Sequence, residues 1–222
     1  MKIGMKIASV LALCVALVAP SHSAFEAVSS PSLLYTTATT KIDFSGIGDF
    51  SDLSSITDGL QTVSFSTTMQ KRTVPGSWAT WSSPPDSETA TPPVLWTKGA
   101  TSVEMLLSTP SKIFGFEAEP NPFGTYDIVA DYYSGATLLG SIVRPVDGFF
   151  GARLFGGVDD PTAIDRVVAH SAADFAVAQV RYDKECFSPV PEPASLSLLG
   201  LGVPVLLRKL RKRKGMGELI AA

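Results

Sequence analysis

Acidic side chains at even spacing are the first candidates for chemistry in this sequence. Glu117 and Glu119 are two residues apart and Asp127 and Asp131 are four apart, so on a strand each pair would share one face. A glycosidase needs two carboxyl groups that face each other across a cleft. Acids that alternate along a strand are more often its solvent face, and we therefore predict no glycosidase.

Nucleophilic catalysis has little support in the sequence. His170 is the only histidine after residue 24, and no Gly-x-Ser-x-Gly element presents a serine. A triad or a Cys–His pair needs a positioned base, and zinc sites need several His or Cys ligands. We predict that the protein is not an enzyme and holds no transition metal.

Calcium is the one cofactor that the sequence leaves open, because oxygen-rich loops bind this ion. Two groups of aspartates lie beside glycines, but neither matches an EF-hand loop or a Gly-Gly-x-Gly-x-Asp repeat. Acidic turn residues are the simpler interpretation, so we predict no cofactor. The two groups are Asp43, Asp49 and Asp52, and Asp159 and Asp160.

A proline-rich stretch from Thr73 to Pro93 contains Trp78 and Trp81, with Trp96 just beyond it. Prolines at this density favour an extended loop over a central strand. Exposed indoles would stack on sugar rings, so Trp78 and Trp81 are the candidate glycan contacts. The alternative is that they close one end of the domain, and for Trp96 we favour a core position.

Short runs with a period of two must position these residues. They are separated by Gly, Pro, Asp and Ser, and no amphipathic helix is evident between the ends of the chain. This pattern predicts an all-β class with a single β-sandwich, jelly-roll-like domain. The predicted strands are 41–44, 60–66, 102–107, 113–116, 126–132, 137–143, 164–169 and 175–182.

The N-terminus has the form of a secretory signal peptide. Lys2 and Lys6 precede an apolar run from Ile7 to Ala19, and Pro20 and small residues follow it. We predict a signal peptide over residues 1–24; an uncleaved anchor is the alternative. Cys186 is then the only exported cysteine, which leaves no intrachain disulfide.

Residues 25–188 are predicted to be one exported domain. The whole chain has a formal net charge of −3. Without the two leader lysines, the six basic residues of the tail and two tail glutamates, the domain carries about −9. An acidic surface disfavours nucleic acid and anionic lipid as partners.

The C-terminal region combines three segments in a fixed order. Val190, Pro191, Glu192 and Pro193 come first, an apolar run over residues 194–207 follows, and a basic cluster ends the pattern. The apolar run would be about 21 Å long as a helix, a marginal membrane span. The cluster, which stops transfer on the cytoplasmic side, consists of Arg208, Lys209, Arg211, Lys212, Arg213 and Lys214.

This order resembles the PEP-CTERM sorting signal of Gram-negative bacteria that make exopolysaccharide. The resemblance covers residues 189–214 and implies processing by exosortase, a membrane-embedded cysteine protease that cuts near Pro-Glu-Pro. It implies transient anchoring in the inner membrane and then release to the cell surface or extracellular matrix. Residues 215–222 would form a cytoplasmic tail. A plain anchor and a buried helix are the alternatives.

These observations predict a non-enzymatic, exosortase-sorted surface or matrix protein whose partners are exosortase and exopolysaccharide. The alternative is a glycan-binding β-sandwich module of the same matrix, with Trp78 and Trp81 as its contacts.

Overall fold

Alternating apolar and polar residues build long antiparallel strands in the computed structural model, which describes residues 25–160 and 162–183. In the first half of this region the elements are β1 (Glu26–Val28), α1 (Leu33–Ala38), β2 (Thr39–Lys41), β3 (Asp52–Thr57), β4 (Thr62–Thr73), β5 (Pro93–Trp96) and β6 (Ser102–Ser111). They are followed by β7 (Ile113–Pro120), β8 (Thr125–Ser134), β9 (Thr137–Asp147), β10 (Arg153–Val158), β11 (Ile164–Ser171) and β12 (Phe175–Asp183).

The strands form one hydrogen-bonded sheet in the order β1-β10-β7-β12-β5-β4-β6-β11-β8-β9, with β2 paired to β12 and β3 paired to β4. The sheet turns back on itself, so that β10, β7 and β12 face β6, β11 and β8 across a common core. The Tyr132 hydroxyl of β8 donates to the Phe155 carbonyl of β10 at 2.9 Å and joins the two layers. The result is a β-sandwich, as the sequence predicts.

The core between the layers contains the inward residues of each strand. On β8 these are Ile128, Ala130 and Tyr132, which are all buried, while Asp127 is exposed. This is the alternation that predicted the strand. Side chains from the opposite layer complete the core, among them Phe114, Phe116, Phe155, Phe175 and Val177.

The alternation of inward and outward side chains along β12 shifts by one residue at Gln179, which has a φ of +50°. Its pairing with β7 shifts register between Ala178 and Arg181. A bulge of this kind moves the following residues by one position. Val177 and Val180 therefore both enter the core, while Ala176 and Ala178 lie on the outer face.

The first and last strands of the sheet order, β1 and β9, come together at Phe25, which directly precedes β1. Its ring lies 5.0 Å from the Tyr132 ring, centroid to centroid, and a Cβ on Gly140 of β9 would overlap it. Arg144 of β9 also donates to the Val28 carbonyl of β1 at 3.1 Å. Phe25, the first residue that the structure describes, thus helps to close the sandwich.

Seven of the eight predicted strands are present, and each extends past its predicted C-terminal end. The predicted strand 41–44 is wrong beyond Lys41, because β2 covers Thr39–Lys41 and residues 42–44 do not form a strand. β1, β3, β5, β10 and the six-residue helix α1 are not in the sequence-based prediction. The last strand ends at Asp183, and residues 184–188 of the predicted domain lie outside the described residues. The predicted leader (1–24) and tail (189–222) lie outside them as well.

Candidate functional site

Residues 74–92, which we call the strap, cover part of the outer face of the sheet. The face beneath is lined by small residues, Ala152, Ala176 and Ala178, which leave room for two indoles. Trp78 and Trp81 fill this space, together with Val74 and Val94. The strap therefore closes a second, smaller apolar cluster on the side of the sheet away from the main core.

Glu117 of β7 lies beneath the strap and is fully buried. The Trp81 indole Nε1 donates to its Oε2 at 2.9 Å. The backbone amide of Glu88 donates to its Oε1 at 2.6 Å. Both donors belong to the strap, so this carboxyl group joins the strap to the sheet.

Glu119, two residues further along β7, is fully buried too. The Trp78 indole Nε1 donates to its Oε2 at 3.0 Å, and the Gly151 amide donates to its Oε1 at 3.2 Å. The Thr80 hydroxyl lies 3.2 Å from Oε1 and 3.3 Å from the Gly148 carbonyl. Glu119 therefore holds both the strap and the turn that follows β9.

Both glutamates have a perturbed pKa. Burial raises the pKa of Glu117 to about 7, although the Trp81 indole and the Glu88 amide oppose the change. Burial also raises the pKa of Glu119 to about 7, against the donors Trp78, Gly151 and Thr80. Burial disfavours a charged carboxylate, and hydrogen bonds to the anion only partly offset it.

Ion pairs fasten the C-terminal part of the strap. The Arg181 guanidinium contacts both oxygens of Glu88, with Nε–Oε1 and Nη2–Oε2 distances of 2.5 and 2.9 Å. Lys41 lies 3.8 Å from the same carboxylate, and Arg153 lies 3.4 Å from Asp86. A bidentate pair between an arginine and a carboxylate is favourable in energy and also fixes the relative orientation of the two groups. The Arg181–Glu88 pair therefore orients this part of the strap.

The prediction that Trp78 and Trp81 offer exposed faces to a glycan is wrong for this structure. Trp78 is 8% exposed and Trp81 is 1% exposed. Both indoles pack on the alanine-lined face and direct their N–H groups to buried carboxylates. The alternative raised from the sequence, that they close one end of the domain, is right about their burial, but they lie on the outer face of the sheet and not at an end of the sandwich. Trp96 packs against the same cluster and donates to Asp174 at 2.7 Å.

Three phenylalanines that the sequence analysis did not select form an exposed group, the phenylalanine ridge. Phe123, Phe149 and Phe150 are 64%, 56% and 59% exposed. The Phe123 and Phe149 rings meet edge to face at 5.4 Å, and the Phe149 and Phe150 rings do so at 4.6 Å. The adjacent pair Phe149-Phe150 between Gly148 and Gly151 was the available signal, since glycines on both sides indicate a turn.

The backbone of the phenylalanine ridge is closely held. Phe150 has a φ of +60°, which is unfavourable for a bulky residue. Asp147 Oδ1 accepts from the Phe149 amide at 3.0 Å, and the Gly148 amide donates to the Gly124 carbonyl at 2.9 Å. A Cβ on Gly151 would overlap the Asp147 carbonyl. The turn is thus fixed on both sides while its rings face solvent.

The other residues considered for chemistry do not contact Glu117 or Glu119 through any of the hydrogen bonds or ion pairs described for them. His170 lies 3.5 Å from Asp131 on the neighbouring strand. Asp49 accepts hydrogen bonds from Lys71, Thr73 and Ser77, which lower its pKa to about 2. Asp52 pairs with Lys98, and Asp160 pairs with Lys112. Within residues 25–160 and 162–183, no three His, Cys, Asp or Glu side chains gather as a metal site would require.

The sorting residues Val190, Pro191, Glu192 and Pro193 lie outside the described residues, as do the basic cluster and the predicted transmembrane segment. Among the helices that the structure describes, none has the length and hydropathy needed to span a membrane.

Comparison with known proteins gives one match at the level of family models. Residues 189–214 match the PEP-CTERM protein-sorting motif. No curated protein matches the chain. Two solved structures are similar to it at 13% identity: the C-terminal CBM6 of LamC, a marine laminarinase from Zobellia galactanivorans, and the family 11 carbohydrate-binding module of Lic26A-Cel5E, a cellulosomal cellulase of Clostridium thermocellum.

The first comparison has a TM-score of 0.32 and covers 66% of this chain and 99% of the module. The second has a TM-score of 0.27 and covers 65% of this chain and 94% of the module.

The family match covers the three segments predicted from the sequence: Pro-Glu-Pro, the apolar run and the basic cluster. The C-terminal region of this chain is therefore a PEP-CTERM protein-sorting motif.

Proposed function

We propose that the protein is a non-enzymatic component of the cell surface or extracellular matrix, delivered there by exosortase. The match of residues 189–214 to the sorting motif carries this proposal. Export with transient anchoring in the inner membrane follows from the apolar run and the basic cluster, because positive residues remain on the cytoplasmic side. The bacterial context implied by the motif is a Gram-negative producer of exopolysaccharide.

The absence of enzymatic activity belongs to the same proposal. Glu117 and Glu119, the acids best placed for a pair, are fully buried beneath the strap and accept hydrogen bonds from it. A glycosidase requires both carboxyl groups to reach the substrate. The geometry of this pair favours a structural role.

The test compares the location of the protein in a wild-type host and in a host without exosortase. Sorting predicts that the chain accumulates in the inner membrane when exosortase is absent. A P191A/P193A variant in the wild-type host should behave in the same way, while T68A, at an exposed position of β4, is the matched control. Equal surface amounts in all four cases would contradict the proposal.

Glycan binding is a second candidate, favoured by the phenylalanine ridge rather than by Trp78 and Trp81. Aromatic rings held at a fixed turn and exposed to water are suited to the apolar faces of sugars. We propose that the matrix polysaccharide of the producing organism is the ligand. The measurement is retention of the protein on that polysaccharide. F149S should weaken retention at least tenfold, and V143S, an exposed residue of β9, should not; equal retention of both variants would exclude the ridge.

A further inference from the structure

Besides its ion pairs Glu88–Arg181 and Asp86–Arg153, the strap is attached to the sheet through two groups that can change charge. Glu117 and Glu119 lie side by side on the outer face of β7, and each accepts an indole N–H from the strap. The floor around them consists of alanines and so provides no other polar partner from those side chains. A closed strap removes both carboxyl groups from water, and an open strap would return them to it.

We propose that Glu117 and Glu119 form a pH-controlled latch, which holds the strap against the sheet in acid and releases it as the pH rises. Release would expose Trp78, Trp81 and the alanine-lined face beneath them. The latch is a property of the domain itself and does not depend on how the protein is sorted.

Other charged groups facing the latch come from several elements. Near Glu117 are Tyr35 of α1, Lys41 of β2 and the Glu88 carboxylate of the strap, which Arg181 of β12 holds. Lys41 favours the ionised form of Glu117, whereas Glu88 disfavours it. Asp147, at the end of β9, disfavours ionisation of Glu119. No arginine or lysine is seen to contact either latch carboxylate among the described residues.

Thr80 allows Glu119 to be satisfied in both protonation states. When Glu119 is ionised, the Thr80 hydroxyl donates to it across 3.2 Å. When Glu119 is protonated, its O–H donates to the Thr80 oxygen, and the Thr80 hydroxyl donates to the Gly148 carbonyl across 3.3 Å. A hydroxyl is both donor and acceptor, so proton uptake does not break this contact.

The direction of the effect follows from proton binding. Each carboxyl group has a pKa of about 7 when the strap covers it and 4.5, its ordinary value, when water reaches it. The closed form therefore binds more protons between these two values, and raising the pH favours the open form. The opening constant should rise by up to about tenfold per pH unit for each carboxylate, and should level off above pH 7.

Hydrogen exchange of the full-length chain in detergent tests this directly. After correction for the intrinsic pH dependence of exchange, the protection of strap peptides within 74–92 should fall between pH 5 and pH 7.5. Peptides of β8 and β11 should keep their protection. The double variant E117Q/E119Q should show no pH-dependent fall. E104Q, which changes an acid in the opposite layer, should behave as the wild type.

A fall of equal size in β8 and β11 would mean global loosening and would overturn the proposal. Persistence of the fall in E117Q/E119Q, or no fall in the wild type, would overturn it as well. If the double variant does not fold, an NMR titration that follows the indole N–H resonances of the wild type tests the proposal instead. The Trp78 and Trp81 signals should titrate between pH 5 and 8, and that of Trp96 should not; a common shift of all three, or none, refutes the latch.

Discussion

The stability of the domain should fall as the pH rises from 4.5 to 7.5, which is unusual for a protein rich in carboxylates. A group whose pKa is raised by folding binds more protons when folded, so stability is lost as the pH rises through that range. Glu117 and Glu119 both change from 4.5 to about 7 on folding. At about 1.4 kcal/mol per pKa unit, each removes at most about 3.5 kcal/mol of stability between those values.

Aspartates act in the opposite direction at lower pH. Folding lowers the pKa values of Asp43, Asp49, Asp52 and Asp58, so their contribution is gained as the pH rises through the acid range. For Asp49, whose pKa is about 2, the gain is complete once the pH exceeds the unfolded value near 3.8. The two effects together place the maximum of stability near pH 4 to 5.

Urea unfolding of residues 25–188 at half-unit steps from pH 4 to pH 8 measures this profile. The wild type should lose at least about 2 kcal/mol between pH 5 and pH 7.5. E117Q/E119Q should be nearly flat over the same range, and D127N, which removes an exposed acid of β8, should follow the wild type. A wild-type profile that rises toward pH 7.5 would refute the burial argument.

Three further outcomes are expected. W81F should cost about 1–3 kcal/mol of folding free energy in urea unfolding, because it leaves the buried Glu117 oxygen without its indole donor; W96F, at a partly exposed indole, should cost less, and the reverse order would contradict the assignment of Trp81. F149S should change the folding free energy by no more than about 0.5 kcal/mol, as expected for a surface position, and a larger loss would make the phenylalanine ridge structural. The isolated domain should give a β-rich circular dichroism spectrum and the same thermal midpoint with and without reductant, since Cys186 is its only cysteine; a reductant-sensitive midpoint of the monomer would count against this.

The strands could be predicted because each depends on residues close in sequence. On β8, Ile128, Ala130 and Tyr132 alternate with polar positions, and the structure buries those three. The same pattern placed Glu117 and Glu119 together on one face of β7, which is correct. The short edge strand β1 has only three residues, too few to show a period.

The burial of that face could not be predicted in the same way. An outward face normally meets water, and the sequence alone does not show that residues 74–92 return over it. One signal was available: Ala176 and Ala178 alternate with the large residues Phe175 and Val177. Small residues on the apparent solvent face indicate that something packs against it, and here the indoles of Trp78 and Trp81 do so.

The sorting motif was predictable for a different reason, since its recognition depends on the order of three segments and not on a fold. The phenylalanine ridge was only partly predictable: the glycines around Phe149-Phe150 indicate a turn, but phenylalanines more often belong to a core, and nothing in the sequence links this pair to Phe123. Phe123 and Phe149 come from separate turns, and only the pairing of β8 with β9 brings those turns together.

The intact mass of the surface-associated protein tests the central claim, that the chain is sorted and processed through residues 189–214. Processing predicts a mass that lacks residues 1–24 and everything after roughly Pro193. Surface material that still carries Arg208 to Lys214 would contradict exosortase processing.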